Sequence, residues 1–200
     1  MPKTSEIPDN PTHLFYDWFQ KAEQSEPSYA NAMALSTVNE DGRPQVRIVL
    51  MRDLNESGVY FYTNYESNKG RALEANPFAE VNFYWKSLEK QIRIAGAVEK
   101  LSAEASDRYF NNRPRQSRIG AWASEQSRAM ESPEDFEKRL HKFEKKFEGQ
   151  DNPPRPSHWG GFRIIPDRYE FWEERPFRLH KRFIFTRKDG GDWDKTWLYP

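Results

Sequence analysis

The chain contains no cysteine in 200 residues, which excludes a disulfide framework and any thiolate zinc site. His13, His141 and His158 show no metal-ligand spacing, so no metal is expected. There is no Gly-x-Gly-x-x-Gly, no Walker loop and no Ser-His-Asp signature, which removes the usual grounds for a nucleotide dehydrogenase, an ATPase or a hydrolase. Long apolar runs are missing too. Aliphatic stretches such as Ile48 to Met51 are far too short to span a bilayer, and Met1 to Asn10 holds no apolar leader, so a soluble, cytoplasmic protein is the expectation. Charge of one sign is also lacking: Lys+Arg and Asp+Glu both number 31, which argues against a generic polyanion binder. Hydrophobic residues reach only 36%, yet aromatics make up 15%, so the core must be built largely from Phe, Tyr and Trp, with some expected at a subunit interface.

The length suits one domain over residues 1–200, without repeats or low-complexity tracts. Asn10-Pro11 is a helix start, and Leu14, Phe15, Trp18, Phe19 and Ala22 form one apolar stripe, predicting a helix over 11–24. Residues 32–38 and 44–52 read as strands joined by an Asp41-Gly42 turn, and 58–63 as a third. A short helix over 67–75, strands over 79–85 and 91–101, and helices over 102–112 and 119–124 follow. Ser132 to Asp135 resembles a capping box opening a helix that carries Phe136, Leu140, Phe143 and Phe147 on one face. After a proline-rich loop, strands are predicted over 159–165, 167–173, 182–187 and 192–198. Many antiparallel strands with helices outside fit a barrel.

Two clusters carry chemistry. Trp172, Arg178, His180 and Arg182 lie within one short stretch. On a strand, Arg178 and His180 would share a face, setting a fixed cation and a group titrating near neutrality beside a flat aromatic surface, a wall for an anionic ring. Upstream, Tyr109 and Arg113 fall one helical turn apart and Ser117 follows the Pro114 break. A phenol, a guanidinium and a hydroxyl converging there suit a phosphate monoester.

Both clusters, in this order and spacing, resemble the pyridoxine (pyridoxamine) 5'-phosphate oxidase family, FMN enzymes of vitamin B6 metabolism. The likeness includes Arg47-Ile48-Val49-Leu50-Met51-Arg52, Phe61-Tyr62-Thr63-Asn64, Lys69, Gln91, Ile119-Gly120-Ala121-Trp122, Gln126-Ser127 and Trp159-Gly160-Gly161-Phe162. It implies a homodimeric antiparallel split β-barrel, mainly β with surrounding helices, holding FMN between subunits. It implies Arg47 through Arg52, Tyr62, Thr63, Asn68, Lys69, Gln91, Gln126, Ser127, Trp172 and Arg182 as positions along FMN, with Arg52 also reaching the substrate phosphate. Tyr109, Arg113 and Ser117 match the family's phosphate cradle, and Arg178 and His180 its substrate-ring contacts, which the resemblance implies as the catalytic residues. The implied reaction oxidises C4' of pyridoxine or pyridoxamine 5'-phosphate to pyridoxal 5'-phosphate, by hydride transfer to flavin N5, with O2 returning as hydrogen peroxide.

Two positions depart from the pattern. Arg52 stands where Lys is usual, keeping the charge and adding a planar fork. Asn68 stands where Arg is usual, removing a cation from the expected flavin-phosphate site. Bland readings compete at several positions: strand arginines are mostly solvated, Tyr62 could be a packing residue, and an Arg-x-His is common in structural settings. Two other functions fit parts of the chain. A sister split-barrel flavoprotein of the phenazine-biosynthesis type would share the fold, but the set Tyr109, Arg113, Ser117, Arg178 and His180 favours the B6 phosphate. Residues 175–188, rich in Arg, Lys and Phe, could form a single-strand nucleic-acid platform, against which zero net charge and the neighbouring Glu173 and Glu174 count.

Overall fold

The Asn10 side chain accepts a hydrogen bond from the Thr12 N–H at 2.8 Å, and Pro11 opens the first helix, α1 (Pro11–Ser25), as the sequence predicts. The computed structural model describes residues 7–200. Phe15, Trp18 and Ala22 of α1 are buried, with Phe15 set edge-on to Phe83 at 5.2 Å and Trp18 to Phe171 at 5.3 Å. The helix thus plugs the concave side of one curled antiparallel sheet.

That sheet contains β1 (Ala32–Val38), β2 (Pro44–Leu50), β3 (Asp53–Asn55), β4 (Gly58–Asn64), β5 (Phe78–Trp85), β6 (Lys90–Lys100), β7 (Trp159–Glu173), β8 (Lys181–Arg187) and β9 (Trp193–Leu198). Its order is β2-β1-β5-β6-β7-β4-β3, with β8 and β9 branching from β7. The β1–β2 hairpin turns through Gly42 at φ +75°, a left-handed position suited to glycine.

The two strands predicted on either side of Pro166 are one strand, β7. The register against β6 shifts between Ala95 and Gly96, so Asp167 is the extra residue of a bulge and Pro166 sits where the ladder is already interrupted. A Cβ on Gly96 would meet Ile165 O at 1.9 Å, so the bulge closes only on a glycine. Below the bulge β7 pairs with β4, and above it with β8, which splits the barrel into two arms. The core is aromatic, as composition required: Phe61, Phe83, Trp85, Phe162, Tyr169, Phe171 and Phe185 are fully enclosed.

The helices α2 (Asn68–Ala75), α3 (Ala103–Asn111), α4 (Arg115–Ala123) and α5 (Pro133–Lys146) flank the sheet. The helix predicted over 119–124 begins earlier, directly after Pro114, because proline is tolerated at a helix start and the single Gly120 does not interrupt the helix before Ser124. The Asp135 carboxylate accepts from the Ser132 N–H at 3.2 Å to open α5, whose apolar face packs on Trp122 through Phe143 and Phe147 without any residue of the helix being fully buried. Among the described residues no helix is long and apolar enough to cross a membrane.

Gly70 in α2 fixes how closely that helix can approach the strand end before it. A Cβ there would lie 2.1 Å from Tyr65 O and 2.7 Å from Tyr65 Cα. Gly to Ala inside a helix ordinarily stabilises by about 1 kcal/mol. Here the overlap is with backbone, so Gly70→Ala is expected to destabilise by about 1–3 kcal/mol and lower the melting temperature by roughly 3–10 °C. A melting temperature that holds or rises would contradict the packing described.

Candidate active site

Tyr62 leaves β4, Tyr109 leaves α3 and Trp159 opens β7, and the three rings stack in layers. Tyr62 and Tyr109 are 3.7 Å apart between centroids at 9°, and Tyr109 and Trp159 are 6.2 Å apart at 14°. These rings form one wall of a cleft of about 390 Å³, which is also lined by Arg52, Thr63, Arg113, Ser117 and Gln126. Among the described residues no carboxylate lines it. Arg113 lies over the Trp159 ring at 4.5 Å, and its Nη1 is buried with no hydrogen-bond partner. Burial holds the Arg113 guanidinium below its ordinary range; Tyr109 opposes this, while Arg52 and Arg118 add to it. A desolvated cation beside a second cation, with one donor unsatisfied, is costly unless an anion completes it.

Arg118 is a residue that sequence reasoning missed. It is buried in α4, and its guanidinium donates to the Arg113 and Asn111 carbonyls and to Asn152 Oδ1. It therefore ties down the α3–α4 turn that aims Arg113. Only the fold could reveal this, since Asn152 comes from the proline-rich loop.

A second cationic point joins the same cleft. Lys69 Nζ donates to Thr63 Oγ1 at 3.2 Å, Gln126 Oε1 at 3.1 Å and Ser67 Oγ at 3.3 Å, all neutral acceptors. Burial first, and the nearby Arg47 second, push Lys69 down to about 8. Arg47, on β2, spends its donors on Leu35 O, Thr37 Oγ1 and Gln45, and burial lowers it as well. Thr63 and Gln126 thus connect the Lys69 end to the Arg113 end. Asn68 begins α2 beside Lys69, and its amide oxygen takes the Arg71 Nη2 at 3.1 Å, so a guanidinium sits next to the position that lost one. Among the remaining expected contacts, Ile48 on β2 is exposed, Met51 is buried, and Ser127 adopts a left-handed φ of 72° just after Gln126.

Arg178 and His180 lie between the strands, so the shared strand face considered for them is not how they come together. Pro176 removes a backbone donor, Phe177 and Arg178 both take left-handed φ (60° and 62°), and β8 begins only at Lys181. The resulting turn projects Phe177 at 92% exposure and builds a separate cleft of about 540 Å³ with Trp172, Arg175, Arg178 and His180. The Trp172 and His180 rings are 4.6 Å apart, and the Arg175 N–H donates to His180 Nδ1 at 3.2 Å, which leaves Nε2 to carry the proton of the neutral ring. The two clefts share no lining residue. Arg52 also falls outside the strand expected for it, because β2 ends at Leu50. Gln91 and Arg182 lie on the outer sheet face, both registered against Trp172.

An antiparallel split barrel with a carboxylate-free, doubly cationic cleft is the architecture of FMN-binding split-barrel proteins. A flavin mononucleotide fits the donor set, since Lys69, Arg47, Thr63 and Gln126 offer cations and hydroxyl or amide groups to its phosphate and no acid opposes it. Residues 19–146 match the profile of pyridoxamine 5'-phosphate oxidase, and residues 159–200 match that of the pyridoxine 5'-phosphate oxidase C-terminal dimerisation region. The chain is 50% identical over 191 residues to a pyridoxine/pyridoxamine 5'-phosphate oxidase of Gluconobacter oxydans, covering 96% of this chain and 94% of that one. A protein of the same description from Maricaulis maris is 52% identical, over 96% and 86% of the two chains. Among solved structures, PhzG from Burkholderia lata, in complex with tetrahydrophenazine-1-carboxylic acid, superposes with a TM-score of 0.90 at 29% identity, over 100% and 97% of the chains. The chain belongs to the pyridoxine/pyridoxamine 5'-phosphate oxidase family. It is therefore an oxidoreductase with FMN as its cofactor.

The depressed Lys69 has a measurable consequence. A phosphate binds the protonated amine, and the fraction protonated in the ligand-free protein falls as pH rises through about 8. FMN affinity is expected to drop about tenfold between pH 7 and pH 9, and Lys69→Arg should flatten the profile. A pH-independent dissociation constant over that window, from quenching of FMN fluorescence, would contradict the assignment.

Proposed function

We propose that this chain oxidises pyridoxine 5'-phosphate or pyridoxamine 5'-phosphate at C4' to pyridoxal 5'-phosphate, with O2 as acceptor and hydrogen peroxide as product, in the cytoplasm. The observation that carries the reading is a cleft lined by Arg52 and Arg113 together with a second cationic point, Lys69 beside Arg47, which is joined to it through Thr63 and Gln126. Two phosphate monoesters, one on the cofactor and one on the substrate, answer that pattern. When bound, FMN supplies the redox chemistry, accepting two electrons from the substrate and passing them to O2. The protein's part is to hold and aim. Arg113, Arg52, the Tyr109 phenol and the Ser117 hydroxyl grip the substrate phosphate, a remote handle whose binding energy positions the ring.

Arg178 and His180 would meet that ring, the first as a fixed cation and the second through Nε2. They reach it from the partner chain: the cradle residues fall in the segment matching the oxidase profile, while Trp172, Arg178, His180 and Arg182 fall in the segment matching the dimerisation region. The outer face of β2, with Val46 and Ile48 about two-thirds exposed at 68% and 66%, suits a homodimer contact. A phenazine-type substrate, suggested by the PhzG likeness, carries a carboxylate rather than a phosphate dianion and makes poorer use of two cations. The purified protein should be yellow, release FMN on denaturation and form hydrogen peroxide with phosphorylated vitamers. A colourless protein that cannot be reconstituted with FMN would overturn the reading.

A further inference from the structure

Outside both clefts, the outer sheet face holds a cluster centred on Glu170, a residue to which no role is given above. Glu170, on β7, is only 3% exposed, and three arginines surround its carboxylate. Oε1 accepts from Arg182 twice, from Nε at 2.9 Å and from Nη2 at 2.6 Å. Oε2 accepts from Arg93 Nη1 at 3.2 Å and from Arg168 Nη2 at 3.1 Å. Arg93 is also paired with Glu80, so three guanidiniums face two carboxylates and the cluster keeps an excess positive charge.

The grip on Arg182 is one-sided. Nε and Nη2 are held by Glu170, whereas Nη1 makes only a 3.4 Å contact to the Tyr199 carbonyl. Arg182 is registered directly opposite Trp172, and Glu170 lies two residues before Trp172 on the same strand, so all three side chains share one face. A guanidinium clamped along one edge keeps its remaining donors in a fixed direction, which a Lys could not do.

We propose that Glu170 is the positioning residue that fixes Arg182 for the flavin ring, its other edge satisfied by Arg93 and Arg168 so that the carboxylate itself cannot swing. This rests on the assignment of Arg182 to FMN. Side-chain removal from a buried ion pair threatens the fold as well as the site, so the test must separate the two. FMN dissociation constants are measured by fluorescence quenching for the full chain freed of flavin, as wild type, Glu170→Gln, Arg182→Ala and the double variant, each checked by its melting temperature.

Each single change is expected to weaken FMN about tenfold, and the double change no more than the worse single one, because both remove the same aimed contact. Arg182→Lys, which keeps the charge and loses the fork, should lose nearly as much as Arg182→Ala. If Glu170→Gln does not fold, Glu170→Asp keeps the charge while shortening the reach and should show the same affinity loss. Losses that add in the double variant, or a Glu170 variant that binds FMN like wild type while Arg182→Ala does not, would overturn the positioning role. Arg182→Ala with unchanged FMN affinity would instead remove Arg182 from the flavin site.

Discussion

Arg113→Ala is expected to raise KM for pyridoxine 5'-phosphate about thirtyfold, corresponding to about 2 kcal/mol for the loss of one charge-assisted contact to a phosphate. The size of the effect follows from the state of this side chain. Its guanidinium is stacked on Trp159 and desolvated, with a buried and unsatisfied Nη1, and the residue lines a cleft without a described acid. The loss should be selective: kcat/KM for unphosphorylated pyridoxine, expected to be far lower, should hardly change, and FMN should bind as before if Lys69 and Arg47 hold its phosphate as proposed. Arg113→Lys should recover only part of the loss, since an ammonium group keeps the charge but not the fork. Equal turnover of phosphorylated and free vitamers by the wild type would remove the basis of this assignment.

Arg178→Ala is expected to lower kcat/KM by about 2 kcal/mol, again roughly thirtyfold, while the protein stays yellow. Arg178 sits in a turn built on two successive left-handed residues, beside the Trp172 and His180 pair and away from the Lys69 end. Holding bulky residues in that backbone region costs about 1–3 kcal/mol each, and such strain is concentrated where a side chain must be presented. His180→Ala should act in the same direction. A protein that loses its flavin on Arg178→Ala, with no separate catalytic defect, would show that the side chain serves the cofactor instead.

Much of this was written locally in the chain. Asn10-Pro11, Asp41-Gly42 and Ser67 are caps and turns whose chemistry acts over a few residues, and the elements they bound lie where expected. The strand Asp53–Asn55 escaped notice because three residues with one buried side chain carry no periodicity. Pro166 reads as a breaker, yet a bulge absorbs it, and the bulge depends on Gly96 of another strand. Within the site, residue types and spacing pointed to the phosphate cradle, and the fold brings Arg52, Tyr109, Arg113 and Ser117 to one cleft. The left-handed turn at Phe177 and Arg178 is not encoded by any glycine or asparagine, so its shape between the two predicted strands could not be read from the residues. Arg118, Glu170 and the neutral surroundings of Lys69 are products of long-range contacts, and charged residues in a sequence look solvated until such contacts are known.

The most direct test of a site shared between two chains is complementation. Arg113→Ala and Arg178→Ala chains, carrying different tags and produced together, should form mixed dimers in which one site holds both substitutions and the other holds neither. Purification through both tags should then yield a protein with about half the wild-type activity per dimer when assayed with substrate well below the wild-type KM, where each parent alone is about thirtyfold less active. Mixed dimers no more active than the parents would contradict a shared site and place Arg113 and Arg178 against the same substrate within one chain.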